Sequence, residues 1–542
     1  MPEIIVTATD LAGASTDAVL VTTFEDGLSP AVLQADAALG GAISEMKEAS
    51  EFTGRFAQRP VLRTLGRLGA KRLMVLGLGK PAQLDSYRLL NAFWLAGGAL
   101  RLAGVRSVTV VADPAIAVAL DGGHGPARGD EIVRAVVTGL LLGNWDGGVT
   151  KTVDEDGTRD KLIERVELTG FAGDDVDAVV AEAQVLASAT NQVRTWVTTP
   201  SNRLTPTELA AQAERLFQGS GLEVEVLRKA DLERLGMGAL LGVAQGSEEP
   251  PVMICVRWDG GRPGQPRLGL VGKGITFDTG GISIKPAGGM EMMKTDMGGG
   301  GAVLGAMWAI ATLQIPANVV GIVPATENMP GGRAYKPGDV LTSRSGKTIE
   351  VLNTDAEGRI ILADGLAQAR EMGATHLVDV ATLTGAVIVA LGHATTGLMT
   401  NDARLGALVG QAAARAGDRV SELPMFPEYD VCLESQVADV ANIGASRAAG
   451  SISAAVFLRE FVGDLPWVHL DIAGTSWNDQ GELKMVPSGP SGTPVRTFVH
   501  LARTFASLPD ADEVGMGSAG QERVVERWRA DVDGEPAGPG EK

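Results

Sequence analysis

Over residues 1–170, short apolar runs alternate with longer stretches whose apolar residues recur at helical spacing. Ile4–Thr7, Val19–Thr22, Leu73–Leu76 and Val108–Ala112 read as strands, and Leu89–Leu102 and Asp130–Leu142 as helices. Such alternation predicts an α/β layer domain on a largely parallel sheet. Residues 174–196, rich in Ala and Val, read as one long helix that leads to Pro200. Alternation then resumes, with strands at Leu268–Val271, Val319–Val323, His376–Val380 and Val468–Leu470 between helical stretches. The pattern divides the chain into an N-terminal α/β domain (1–172), a linking helix (173–198), a larger α/β domain (199–507) and a tail (508–542). That tail is acidic and Gly-rich; 521–532 could form a short helix, and the last residues read as disordered. The chain shows neither an internal repeat nor a coiled-coil heptad.

Composition narrows the function classes. In 542 residues there are 71 Gly and 45% hydrophobic residues, which fits a Gly-turned α/β protein. The net charge of −19 disfavours general nucleic-acid binding, which depends on neutralising phosphates. The two cysteines, Cys255 and Cys432, lack C-x-x-C spacing and suit a reducing compartment. Cys255 lies in the apolar stretch Val252–Val256 and reads as buried and inert. The N-terminus has no basic region followed by an apolar core. No apolar run reaches the ~20 residues of a membrane helix. A cytoplasmic location is expected. None of the five histidines forms H-E-x-x-H, and no G-x-S-x-G occurs. Ser345-Gly346-Lys347-Thr348 ends like a phosphate-binding loop, but the required first glycine falls on Leu341. Gly77-Leu78-Gly79-Lys80-Pro81-Ala82 imitates a dinucleotide fingerprint. The next strand ends at Asp113, well beyond the usual ~20-residue spacing.

The chemistry concentrates in Asn353-Thr354-Asp355-Ala356-Glu357-Gly358-Arg359. In an extended segment, residues i and i+2 share a side, so Asp355, Glu357 and Arg359 are expected to converge on one point. A bare D-x-E triplet is more often a solvated turn, but its upstream context favours a divalent metal. There, Lys273-Gly-Ile-Thr-Phe-Asp278 follows the strand at 268–271, then come Gly280-Gly281, Lys285-Pro286 and Lys294-Thr295-Asp296. Glycines this dense beside charges point to close approach of the chain to an ion or ligand. Four glycines at 298–301 precede an apolar helix expected over Ala302–Leu313, an arrangement that can also serve phosphate, so a nucleotide is the competing ligand.

These blocks resemble the cytosolic leucyl aminopeptidases, a family of two-metal peptidases. The likeness spans roughly residues 190–500 and includes Arg194–Asn202, Tyr335–Asp339, Asp379–Gly385 and His469–Gly474. Thr279 departs from the family's usual Ser but keeps the hydroxyl. The resemblance implies a smaller N-terminal macro-like domain and a larger C-terminal dimetal catalytic domain, whose mixed central sheet is flanked by helices. It implies release of N-terminal amino acids from peptides, with leucine preferred within a broad specificity. One metal would be held by Lys273, Asp278, Asp296 and Glu357, the other by Asp278, Glu357 and Asp355. Four carboxylates then balance two divalent ions only if Lys273 binds as a free amine, and the donor set suits Mn²⁺ or Zn²⁺. Lys285 would stabilise the developing oxyanion, and Arg359, which cannot be a base, would hold a bicarbonate ion that shuttles the proton. Met293, Thr382 and Gly385 match positions that line the first-residue pocket and the substrate backbone. A homohexamer, a dimer of trimers, is also implied, with Ser446–Gly450 and the apolar helix Ile452–Phe461 resembling family sequence. Some bacterial relatives also bind DNA as accessory or transcription factors. That alternative needs a basic groove, against which the acidic balance speaks.

Overall fold

The computed structural model describes residues 1–509 apart from 125–128, 149, 153–160, 172, 174, 445, 447, 480–482 and 484. Nearly all of the expected tail, with its helix over 521–532, and Arg447 lie outside the described residues.

Six strands make the N-terminal sheet, in the order Glu3–Thr7, Arg165–Thr169, Ser107–Val111, Ala18–Thr23, Arg72–Gly77, Val61–Arg63. All neighbours are parallel except the last pair. Alternation of side chains along a strand sends residues to two faces. Val19, Val21, Leu73 and Val75 pack under helices Pro30–Ala38 and Ala42–Glu48. Ala18, Leu20, Met74 and Leu76 pack under Ser86–Leu102 and Gly129–Gly143. Burial on both faces is why these strands read as unbroken apolar runs.

The long helix runs Val176–Thr198, shifted by two residues from its expected bounds because the Asp175 side chain caps it by accepting from Ala178 N. Its Val179, Val180, Ala183 and Ala187 join the N-terminal core, whereas Leu186, Ala189, Val193 and Trp196 join the core of the second domain. One helix therefore ties the two units together.

Nine strands form the second sheet. Eight lie in the order Val420–Glu422, Thr396–Thr400, Trp467–Asp471, His376–Ala381, Arg267–Gly272, Asn318–Asn328, Val252–Asp259, Glu223–Arg228, and Gly274–Asp278 pairs with the far end of Asn318–Asn328. The sheet is mixed. Its central four strands, from Trp467–Asp471 to Asn318–Asn328, are parallel, and their outer neighbours Thr396–Thr400 and Val252–Asp259 are antiparallel to them. Helices Gly298–Thr312 and Val495–Ala506 cover one face, Glu357–Glu371 and Gly450–Arg459 the other. Open α/β sheets bind ligands beyond the carboxyl ends of their parallel strands, and Lys273, Asn328, Thr382 and Asp471 all lie at those ends.

The helix expected from Ala302 begins four residues earlier, at Gly298. A side chain at Gly299 would put its Cβ 2.2 Å from Val380 O, so only glycine allows this contact with the sheet. Gly300 N donates to Lys273 O at 2.7 Å. The glycine run is spent on packing the helix against the sheet rather than on a phosphate.

His500, on Val495–Ala506, is buried near Arg134, Arg503, Arg415 and Glu182. Glu182 pairs with Arg134 at 2.7 Å and Arg503 at 2.8 Å. Burial, reinforced by the three arginines and opposed by Glu182, pushes the imidazole down to about 3. Its folded pKa lies below its unfolded value, so only the unfolded chain takes up this proton between the two. Stability from this group is complete above about pH 6.5 and falls with decreasing pH, by about 1.4 kcal/mol per pH unit. In urea titrations, His500→Gln is expected to remove about 2 kcal/mol of the wild-type loss between pH 7 and pH 5. An equal loss in both proteins would assign the slope elsewhere.

Candidate active site

Lys273 leaves its strand pinned at both backbone ends, its N–H donating to Val380 O at 3.0 Å and its carbonyl accepting from Gly300. The side chain runs inward, with Nζ 2.8 Å from Asp296 Oδ2, 2.8 Å from Glu357 Oε1 and 3.1 Å from Thr382 O. It crosses the helix that starts at Glu357, where a Cβ on Gly358 would lie 2.6 Å from Lys273 Cε. That contact explains the glycine inside the motif.

Asp278 ends strand Gly274–Asp278. Its Oδ1 accepts from Gly280 N and from Asn328 Nδ2, each at 2.8 Å, and its Oδ2 lies 2.8 Å from Lys285 Nζ. Lys285 also pairs with Asp355 Oδ1. Thr354 laces the two motif segments: its Oγ1 donates to Gly280 O at 2.6 Å and accepts from Ser283 N at 2.8 Å. Thr354 O accepts from Tyr335 OH at 2.8 Å and from Asn328 Nδ2 at 2.9 Å. Asp296 follows the short 3₁₀ turn Met290–Thr295, and its Oδ1 accepts from Thr382 Oγ1 at 2.7 Å.

Asp278, Asp355 and Glu357 each bring a carboxylate oxygen to within 4.8 Å of the others. The route differs from the extended segment expected. Residues 353–356 turn, Ala356 is the N-cap, and Glu357 opens helix Glu357–Glu371. Arg359 is thus the third helical residue, and its Nη1 donates to Asn442 O at 2.9 Å. Met293 is half-buried on the turn before Asp296, and Gly385 is exposed at the start of helix Gly385–Leu391, its Cβ direction facing open space.

Burial raises the pKa values of Asp296, Asp355 and Glu357, and repulsion from Asp278 adds to each. Burial opposes charge on Lys273 and Lys285 too, but the surrounding carboxylates override it and hold both ammonium groups charged. Two lysines cannot neutralise four acids. Among the described residues, buried Glu357 Oε2 has no hydrogen-bond partner, while Asp296 Oδ2 and Asp355 Oδ1 are engaged in ion pairs with Lys273 and Lys285. Four carboxylates converging in a low-dielectric site with too few cations to balance them are the ligand chemistry of a divalent cation. Arg359 Nε is likewise buried and unpaired, and burial lowers its guanidinium to about 10 against the pull of Glu357 and Asp471. A hollow of 410 Å³ beside the edge strand, lined by Thr395, Asp418, Arg419 and Ser421 among others, contains none of these residues.

Asn328 and Asn442 do not stand out in the sequence. Asn328 is a polar end to an apolar strand, a weak signal, and Asn442 contacts Asn353 and Arg359 only through the fold.

The chain is similar to known proteins along most of its length. Residues 191–499 match the cytosol aminopeptidase family, catalytic domain, and residues 19–153 match the N-terminal domain of the same family. The "Probable cytosol aminopeptidase" of Alkaliphilus metalliredigens is 44% identical over 474 residues, covering 87% of this chain and 92% of that protein. The protein of the same description from Solibacter usitatus is 45% identical over 489 residues, covering 90% and 96%. Among solved structures, a mutant of tomato leucine aminopeptidase superposes with a TM-score of 0.82 at 30% identity, covering 93% of this chain and 97% of that one. The bottromycin maturation enzyme BotP, in complex with Mn, gives 0.77 at 33% identity, covering 91% and 100%. With family matches over both domains and relatives aligned along most of its length, the chain belongs to the cytosol aminopeptidase family of metal-dependent peptidases.

Proposed function

We propose that this chain removes N-terminal amino acids from peptides, leucine preferred, with two divalent metal ions bound at the carboxylate cluster. The observation that carries the reading is the convergence of Asp278, Asp355 and Glu357 beside an unpaired Glu357 Oε2. Lys273, Asp278, Asp296 and Glu357 would hold one ion, and Asp278, Asp355 and Glu357 the other, as Mn²⁺ or Zn²⁺. Bound there, the ions would supply Lewis-acid polarisation of the scissile carbonyl and a nucleophile from water. Lys285, held charged by Asp278 and Asp355, donates to the oxyanion that develops on the substrate. Arg359, with Nε unpaired, would hold bicarbonate, whose chemistry is proton transfer. Met293, Thr382 and Gly385 would face the first residue of the substrate. The division into 1–172, 173–198 and 199–507 goes with this reading, as does a cytoplasmic homohexamer. Phe426, Val431 and Val437, exposed around the turn Pro427–Leu433, offer apolar surface for such an assembly.

Chelator-stripped protein is expected to lose hydrolysis of leucine p-nitroanilide, and added Mn²⁺ or Zn²⁺ to restore it. Folded protein left inactive with either ion would overturn the reading. Mass photometry of the same preparation is expected at six times the chain mass, and a monomer would remove the hexamer.

A further inference from the structure

The segment Thr382–Gly385 joins strand His376–Ala381 to helix Gly385–Leu391 and touches the carboxylate cluster through Thr382. What holds it comes from the next strand. Asp471 ends Trp467–Asp471, opposite Ala381 in parallel register, and is 1% exposed. Its Oδ1 accepts from Leu383 N at 3.1 Å, Thr384 N at 3.4 Å and Ala473 N at 3.2 Å, and its Oδ2 accepts from Thr384 Oγ1 at 2.6 Å.

A carboxylate only accepts, so the Thr384 hydroxyl proton points at Asp471. The Thr384 oxygen is left to accept from Ser451 Oγ at 2.8 Å and from Val387 N at 3.1 Å. This hydroxyl therefore uses its one proton and both lone pairs, and it caps helix Gly385–Leu391. One buried carboxylate thus fastens the segment to a strand, and through Thr384 to helices Gly385–Leu391 and Gly450–Arg459. Burying a carboxylate is costly, and an apolar residue could fill the same space for the fold alone. Its gain must lie in where it holds the segment.

We propose that Asp471, acting through Thr384, is a positioning residue for substrate that sets the Thr382–Gly385 segment against the carboxylate cluster. The proposal rests on the aminopeptidase reading for what the segment binds, not for how it is held. Thr384→Val keeps shape and removes the hydroxyl, whereas Thr384→Ser restores it. With leucine p-nitroanilide and Mn²⁺, T384V is expected to raise KM about tenfold, with kcat within about twofold of wild type, and T384S to behave as wild type. Metal content should be the same in all three. An unchanged KM, a loss confined to kcat, or a T384S as impaired as T384V would overturn the proposal. A wild-type protein with no such activity defeats the aminopeptidase reading alone. Amide hydrogen exchange then decides the anchoring: Leu383 and Thr384 should exchange at least about tenfold faster in T384V, and equal rates would overturn it.

Discussion

Glu357→Ala protein is expected to lose its metal and its peptidase activity together, whereas Lys285→Ala keeps its metal and loses two to three decades of kcat. The contrast follows from position. Glu357 is buried, offers Oε1 to Lys273 and carries the unpaired Oε2. Its removal would delete a ligand that the proposed ions share and leave Lys273 with one carboxylate fewer. Lys285 contributes no ligand oxygen. It stands between Asp278 and Asp355 as a counter-charge, so its loss leaves the acids free for cations. In the proposed mechanism, what would disappear is one charged donor to the oxyanion, a contribution of roughly 10²–10³ in rate. Metal analysis beside steady-state kinetics on both variants checks this. Full metal loss in Lys285→Ala would collapse the distinction between ligand and electrophile.

Replacing Arg194 by Met is expected to destabilise the protein by about 3 kcal/mol and to separate the unfolding of the two domains. Arg194 lies on the linking helix, fully enclosed, with its guanidinium 4.7 Å from the Trp94 ring and 4.0 Å from the Trp145 ring. It donates to Leu142 O at 2.7 Å and Asn191 Oδ1 at 2.6 Å, and across the junction to Pro490 O at 2.9 Å. Leu142 O lies in the last turn of Gly129–Gly143, where a cation also meets the negative end of the helix. Among the described residues no carboxylate pairs with this charge, and burial with repulsion from Arg496 and Arg101 depresses its pKa. The carbonyls and indole faces must hold it, and methionine satisfies neither. Scanning calorimetry should show a single wild-type transition become two. One unshifted transition would mean that the helix alone couples the domains.

Much of the site was legible because its carboxylates and lysines sit in short, chemically dense blocks. Asp355 and Glu357 lie two residues apart, and Lys273 precedes and Asp278 ends one short strand. Even so, period-two reasoning placed Asp355, Glu357 and Arg359 on an extended chain, while a turn and a helix start bring the two carboxylates to Asp278. Both conformations put the two carboxylates together. Arg359 shows the difference, since the helix turns it towards Asn442.

The order of strands and helices, the metal-type chemistry and the likeness to aminopeptidases follow from sequence alone. Apolar periodicity and motif spacing are local properties, written within a few residues. Tertiary structure decided the rest. The glycines at 298–301 looked open to a phosphate until the approach of Val380 showed that they pack a helix on the sheet. Asp471 lies almost ninety residues beyond Thr384, and only the parallel pairing of its strand with the one that precedes Thr384 brings carboxylate and hydroxyl to 2.6 Å. Partners that meet through sheet register leave no mark in local sequence, because the register is set by the packing of the whole core.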